Sequence, residues 1–143
     1  MAGPPLEKDT CRDYVLPRLH AAGWSHDQIQ EQFPITDGRV ISVGSKHRRR
    51  DALRADYVLE YQAGLPIAVV EAKREHAIPG KGLQQARRYA QLLDLPFSYS
   101  TNGKEIIEDD LDTGRETAGL SSFPSPEDLW TRYAAGEASS RTR

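Results

Sequence analysis

Three residues of this sequence combine in a way that could do chemistry: Asp56, Glu71 and Lys73. Glu71 and Lys73 close an otherwise apolar run, PIAVVEAK at residues 66–73. Side chains two apart on a strand point to one face, so both charges are expected beside Ile67 and Val69. Burying either charge without a partner is costly. If the turn at residues 62–65 sets Tyr61 opposite Pro66, Asp56 falls directly across from Glu71, where Cβ atoms are about 4.5–5.5 Å apart. Two carboxylates at that range, with the Ala72 backbone carbonyl beside them, form a hard oxygen set. Such a set suits Mg²⁺, whose remaining positions go to water and a phosphate oxygen. The ion would neutralise a phosphodiester and acidify a bound water, and Lys73 could orient that water or offset developing charge. These are the parts that phosphodiester hydrolysis requires. The plainer alternative is a strand-end ion pair beside an unrelated aspartate, and spacing alone leaves both open.

The elements that must position these residues are legible in outline. Residues 6–22 carry Cys11, Val15, Leu19 and Ala22 at helical spacing, with Pro17 expected to kink or divide the helix and Gly23 to stop it. Trp24 is expected to pack back on the core. Cys11 on that stripe reads as a small buried hydrophobe, not a nucleophile. Strand patterns follow at residues 38–43, 56–61 and 66–73, the last apolar enough to be covered on both faces. Pro79 and Gly80 open a helix to about residue 94, with Leu83, Ala86, Ala90 and Leu93 on one face. A strand at 97–101, an Asn102-Gly103 hairpin turn and a returning strand at 104–108 come next. Ser125 as N-cap, Pro126 at N1 and Asp128 at N3 start a last helix carrying Leu129, Trp130 and Tyr133. Residues 134–143 are small and polar and read as a disordered tail. The order α-β-β-β-α-β-β-α implies an α/β fold class, a mixed central β-sheet flanked by helices.

Composition bounds the rest. At 143 residues, with 28% charged and 38% hydrophobic side chains, the chain fits one ordinary globular domain. No apolar run approaches the roughly 20 residues of a membrane span, and the N-terminus lacks a secretion-signal layout. A single cysteine allows no internal disulfide, which points to a reducing, cytoplasmic compartment. A net charge of −2 argues against a protein that coats nucleic acid. Its distribution is uneven, however: Lys46, His47, Arg48, Arg49, Arg50 and Arg54 crowd one stretch, and Glu105, Glu108, Asp109, Asp110, Asp112 and Glu116 another. The basic stretch is either a phosphate-binding surface or a solvated loop. Lys46, Arg48, Arg49 and Arg50, with Lys81, Arg87 and Arg88, are the candidates for DNA-backbone contacts, and His47 could join them. His20, His26, His47 and His76 lack zinc-ligand spacing. Ser98, Ser100 and Thr101 lack the context of a nucleophilic serine.

Asp56 followed by Glu71-Ala72-Lys73 resembles the D…(D/E)-x-K signature of the PD-(D/E)xK nuclease superfamily. The wider text is more specific: AAGW at 21–24 after Pro17 and Leu19, ADYVL at 55–59, PIAVVEAK at 66–73, Gln84-Gln85 with Tyr89-Ala90, LLDLPF at 92–97, TNG at 101–103 and FPSPEDLW at 123–130. Together these resemble the N-terminal nuclease domain of the restriction (R) subunit of type I restriction–modification enzymes, over about residues 7–133. The resemblance implies a restriction-endonuclease-like fold and a Mg²⁺-dependent endonuclease that cuts double-stranded DNA without intrinsic sequence specificity. It implies modification (methyltransferase) and specificity subunits as partners, and ATP used only through a motor domain. It also brings in Gln85 and Tyr89, matching a Q-x-x-x-Y motif, and Glu7 in the place of a first-helix acid. Ala55 departs from the superfamily pattern, which has proline there. The chain also lacks a G-x-x-x-x-G-K-[ST] loop, Gly80-Lys81-Gly82 being only a loop entering a helix. Residues 1–133 are thus expected to form the nuclease domain and 134–143 a tail or linker to an absent motor, in a domain fragment or a shortened gene product. The rival readings are a stand-alone repair or resolvase nuclease of the same superfamily and a non-catalytic DNA- or protein-binding remnant.

Overall fold

The computed structural model describes residues 14–35, 41–43, 46–48, 53–73, 79–102 and 104–141. Helix α1 (Leu16–Ala21) carries Pro17 in its first turn, where the missing N–H costs nothing. Gly23, at φ +106°, ends that helix, and Trp24 turns inward to donate its indole N–H to the Pro124 carbonyl at 2.9 Å. Among the described residues eight strands follow: β1 (Ile29–Ile35), β2 (Ile41–Val43), β3 (Lys46–Arg48), β4 (Leu53–Gln62), β5 (Leu65–Ala72), β6 (Phe97–Thr101), β7 (Ile106–Asp110) and β8 (Arg115–Leu120). Helix α2 (Pro79–Leu93) joins β5 to β6, and α3 (Pro126–Arg141) closes the described chain. The six-stranded sheet runs β1-β4-β5-β6-β7-β8, with β2 and β3 as a separate hairpin. Among the described strands only β5 and β6 pair in parallel, as a helical crossover demands.

The sheet buries both faces. Val15, Leu19, Phe123 and Leu129 pack with Tyr57, Val70, Phe97 and Tyr99 on one side, under α1 and α3. Ala86, Tyr89 and Ala90 of α2 pack with Ile35, Val58 and Val69 on the other. This explains the near-unbroken apolar text of β5, whose Ile67–Ala72 stretch (residues 67–72) is buried throughout. The α/β class with a mixed, helix-flanked sheet is as expected, but the element count is not. β1, β3 and β8 were not anticipated, so residues 46–48 of the basic stretch form a strand. β7 begins two residues later than expected, because the Asn102 side chain accepts from the Lys104 and Glu105 amides and forms a wider turn. Helix α3 runs through 134–141, where a disordered tail was expected, since Ala134, Ala135, Glu137 and Ala138 are good helix formers.

The β4–β5 register matters most for function. Tyr57 pairs with Val70, Val58 with Val69 and Leu59 with Ala68, which is the pairing that faces Asp56 toward Glu71. The tip differs from expectation. A tight turn at Ala63 and Gly64 pairs Gln62 with Leu65, and Glu60, not Tyr61, faces Pro66. Ile67 and Tyr61 therefore stand outside the ladder. Ile67 packs on the α1–α3 side, so Glu71 and Lys73 share a face with Val69 but not with Ile67.

Candidate active site at the end of strand β5

Two adjacent strands lock Asp56 and Glu71 together. The Asp56 backbone N–H donates to Glu71 Oε2 at 2.6 Å, and the Ala72 N–H donates to Asp56 Oδ2 at 2.8 Å. Each carboxylate is thus held by the other residue's strand. Glu71 is only 1% exposed, a depth at which an ionised group needs strong compensation. Lys73 lies just past the strand, anchored by its N–H to the Thr101 carbonyl at 2.8 Å. Its ammonium donates to Gln85 Oε1 at 3.1 Å, and Gln85 Nε2 donates to the Tyr89 hydroxyl at 2.7 Å. Gln85 and Tyr89, one helical turn apart, thus reach the lysine from α2. Asp56, Glu71, Lys73, Gln85 and Tyr89 come together from three elements separated in sequence.

The donor set suits a hard divalent cation. Among the described residues no group of three His, Cys, Asp or Glu side chains could hold a metal. A pair of carboxylates suffices for Mg²⁺, which keeps several waters and takes up substrate phosphate oxygens. The other candidates are more scattered. Arg87 is ion-paired with Asp109 and lies 3.6 Å from Glu116, so its guanidinium is already engaged by strands β7 and β8. Arg88 is exposed on α2, Lys81 lies in that helix's first turn, and Lys46 and Arg48 lie on β3. Glu7, Arg49 and Arg50 fall outside the described residues. Gly82 is a site neighbour that the sequence did not single out. A Cβ built there would overlap Ser100 Oγ and stand 3.1 Å from Lys73 Cγ. The sequence reads Gly80-Lys81-Gly82 as a loop entering the helix, but Gly82 lies within α2.

On the opposite face lies a second charged cluster. Arg132 of α3 grips Glu108 with both terminal nitrogens, at 3.0 and 2.7 Å, and stacks over the Phe97 ring at 4.8 Å. The Tyr99 hydroxyl donates to the same Glu108 at 2.6 Å. Burial by itself raises the Glu108 carboxyl, but the Arg132 and Tyr99 hydrogen bonds outweigh it and bring the group below its ordinary range. Burial, then the adjacent Glu108 charge, pushes the Tyr99 phenol well above its own. A carboxylate lowered in the folded state contributes stability above its unfolded pKa of about 4.3, lost as pH falls through the folded value. Urea unfolding from pH 7 down to 3 should therefore show an acid-side loss of stability that shrinks in Glu108→Gln. An unchanged profile would mean that other carboxylates carry the whole effect.

A model of the N terminus of type I restriction enzyme R proteins matches residues 12–124. The chain belongs to this family. Consistent with that membership, the endonuclease subunit of type I restriction enzyme EcoAI from Escherichia coli is 38% identical over 133 residues, covering 89% of this chain and 16% of that subunit. A fragment structure assigned to an HsdR subunit of a type I restriction enzyme from Vibrio vulnificus YJ016 superposes with a TM-score of 0.85 at 49% identity. The match covers 96% of this chain and 27% of that one. This R-protein N terminus therefore corresponds to a minor part of each relative's length. Its sheet, with helices on both faces, is the same architecture. Among the described residues no helix is long and apolar enough to cross a membrane.

Proposed function

We propose that this chain is the nuclease domain of a type I restriction enzyme R subunit, a Mg²⁺-dependent endonuclease that hydrolyses double-stranded DNA without reading sequence itself. The observation that carries this reading is the Asp56–Glu71 clasp with Lys73 beside it at the end of β5. Asp56 and Glu71 are the residues that would hold the ion, with the Ala72 carbonyl as a further oxygen. When bound, Mg²⁺ supplies charge neutralisation at the phosphodiester and a more acidic water. The protein's own part is positioning. Lys73 has only donors, so Gln85 must turn its Oε1 to the ammonium and its Nε2 to the Tyr89 hydroxyl, which holds the amide in place from the same helix face. An ammonium has three donors and Gln85 takes one, leaving others for a water or a phosphate oxygen.

Lys46, Arg48, Arg49, Arg50, Lys81 and Arg88 would contact the DNA backbone. Arg87 would join them only by giving up Asp109. Membership of the R-protein family favours an assembly over a stand-alone repair enzyme: modification and specificity subunits select the site, and a motor elsewhere in the R subunit uses ATP. Such an assembly would act in the cytoplasm, with residues 1–133 as the nuclease unit. The test places the domain in a complete R subunit with those partners, ATP and Mg²⁺, on plasmid carrying a recognition site. Lys73→Ala should cut about 10²–10³-fold more slowly with DNA retention unchanged, as when one charge-stabilising donor is removed. Equal cutting by wild type and Lys73→Ala would leave only a binding module.

A further inference from the structure

We infer that Gly82 is a positioning residue for the Lys73 ammonium, an inference that deepens the nuclease reading and rests on it. Glycine is the poorest helix former after proline, yet Gly82 sits buried inside α2, three residues before Gln85. Its φ is not in the left-handed region, so backbone geometry does not demand glycine. Contact does. A Cβ at this position would overlap Ser100 Oγ and lie 3.1 and 3.4 Å from Lys73 Cγ and Cε. Ser100 is fully buried and pairs with Glu71 across the parallel β5–β6 ladder, so it has no solvent to retreat into. The missing side chain thus lets α2 press directly onto the lysine stem and the strand beside Glu71. That closeness sets the reach of Gln85, whose 3.1 Å bond to Lys73 has little slack before it ceases to be a hydrogen bond. A methyl group at 82 displaces the Ser100 hydroxyl, which has only buried surroundings to turn into, and otherwise lifts the helix or shifts the lysine stem, either of which parts Gln85 from Lys73.

The test is a double-mutant cycle with two readouts. In the metal-free 143-residue chain, the Gln85 side-chain amide is followed by ¹⁵N NMR, with Lys73→Ala marking where it resonates without the lysine. Gly82→Ala should move that signal toward the Lys73→Ala position, although alanine favours the helix. In the assembled enzyme, cleavage should fall about 10²-fold, the scale of an ångström-level misplacement, with DNA retention unchanged. Ser100→Ala removes the oxygen that the new methyl meets, so Gly82→Ala should cost less in that background on both readouts. If Gly82→Ala does not fold, its effect is read in the Ser100→Ala background against Ser100→Ala alone. A Gln85 signal and a cleavage rate unmoved by Gly82→Ala, or no relief from Ser100→Ala, would overturn the inference. A wild-type enzyme that does not cut defeats the nuclease reading instead, and the NMR comparison still decides the role of Gly82.

Discussion

In Glu71→Gln, Mg²⁺-dependent cleavage should fall by roughly 10²–10³-fold, while the metal-free chain should unfold at the wild-type temperature or above it. Both halves follow from the clasp. Glutamine keeps the volume and an oxygen that can accept from the Asp56 N–H, so the strand contact survives. What disappears is a negative charge held almost out of solvent beside a second carboxylate. Without a cation those two charges repel, and neutralising one relieves the folded state. With the cation the same charge is what binds it. Wild type should therefore gain stability with Mg²⁺, by about 2.7 kcal/mol at a hundredfold excess over Kd, and Glu71→Gln should gain little. Thermal unfolding in EDTA and in a Mg²⁺ series measures this directly. A wild-type midpoint indifferent to Mg²⁺, or an equal gain in the variant, would remove Glu71 from the metal site.

Arg132→Leu should cost about 2–3 kcal/mol of folding stability, equivalent to a fall of roughly 6–10 °C in Tm for a domain of this size. The loss is not the worth of a surface ion pair, which is near zero to about 1 kcal/mol. Glu108 is 6% exposed and takes both Arg132 nitrogens, so removing the arginine strands a buried carboxylate. Losing one partner of a fully buried pair costs about 3–5 kcal/mol. The Arg132 side chain is 33% exposed, which places the expectation below that range. Lysine should rescue poorly, because it cannot make the two-pronged contact or cover Phe97 as a flat guanidinium does. Changing Glu108 to Leu in the same chain should recover much of the loss, since no orphaned charge remains. Urea unfolding of the two single variants and the double variant separates these terms. Equal stability of Arg132→Leu and wild type would show that Glu108 finds another partner.

The parts of this fold legible in the sequence are those where one physical signal dominates. β5 is buried on both faces, so its apolar run stood out and its closing Glu71 and Lys73 stood out against it. Alternation and the short hairpin then placed Asp56 correctly, although the tip is built differently. The edges were less readable. β1 contains Gln30, Glu31, Gln32 and Pro34, and β8 contains Ala118 and Gly119, residues that suit half-exposed edge strands and carry no apolar alternation. Asp109 and Asp110 belong to the acidic stretch and lie past the expected end of its strand, yet they are buried in β7, where Arg87 and Arg132 reach them from helices about 22 residues away in sequence. Local pattern cannot announce such partners. Gly82 is similar: the need for it arises from Ser100 and Lys73, which only the folded chain brings near.

The kinked tip of the β4–β5 hairpin divides that hairpin into a permissive zone and a strict one. Ile67 and Tyr61 lie outside the ladder, so losing either leaves every pair between the kink and the acids intact, the loss of Ile67 costing core packing but not register. The three pairs from Tyr57–Val70 to Leu59–Ala68 have no such tolerance. A residue added or lost there turns every side chain beyond it to the opposite face and sends Asp56 or Glu71 into the apolar layer beneath α1 and α3. Length variation in this hairpin is therefore expected at its outer end, with the inner three rungs constant in number.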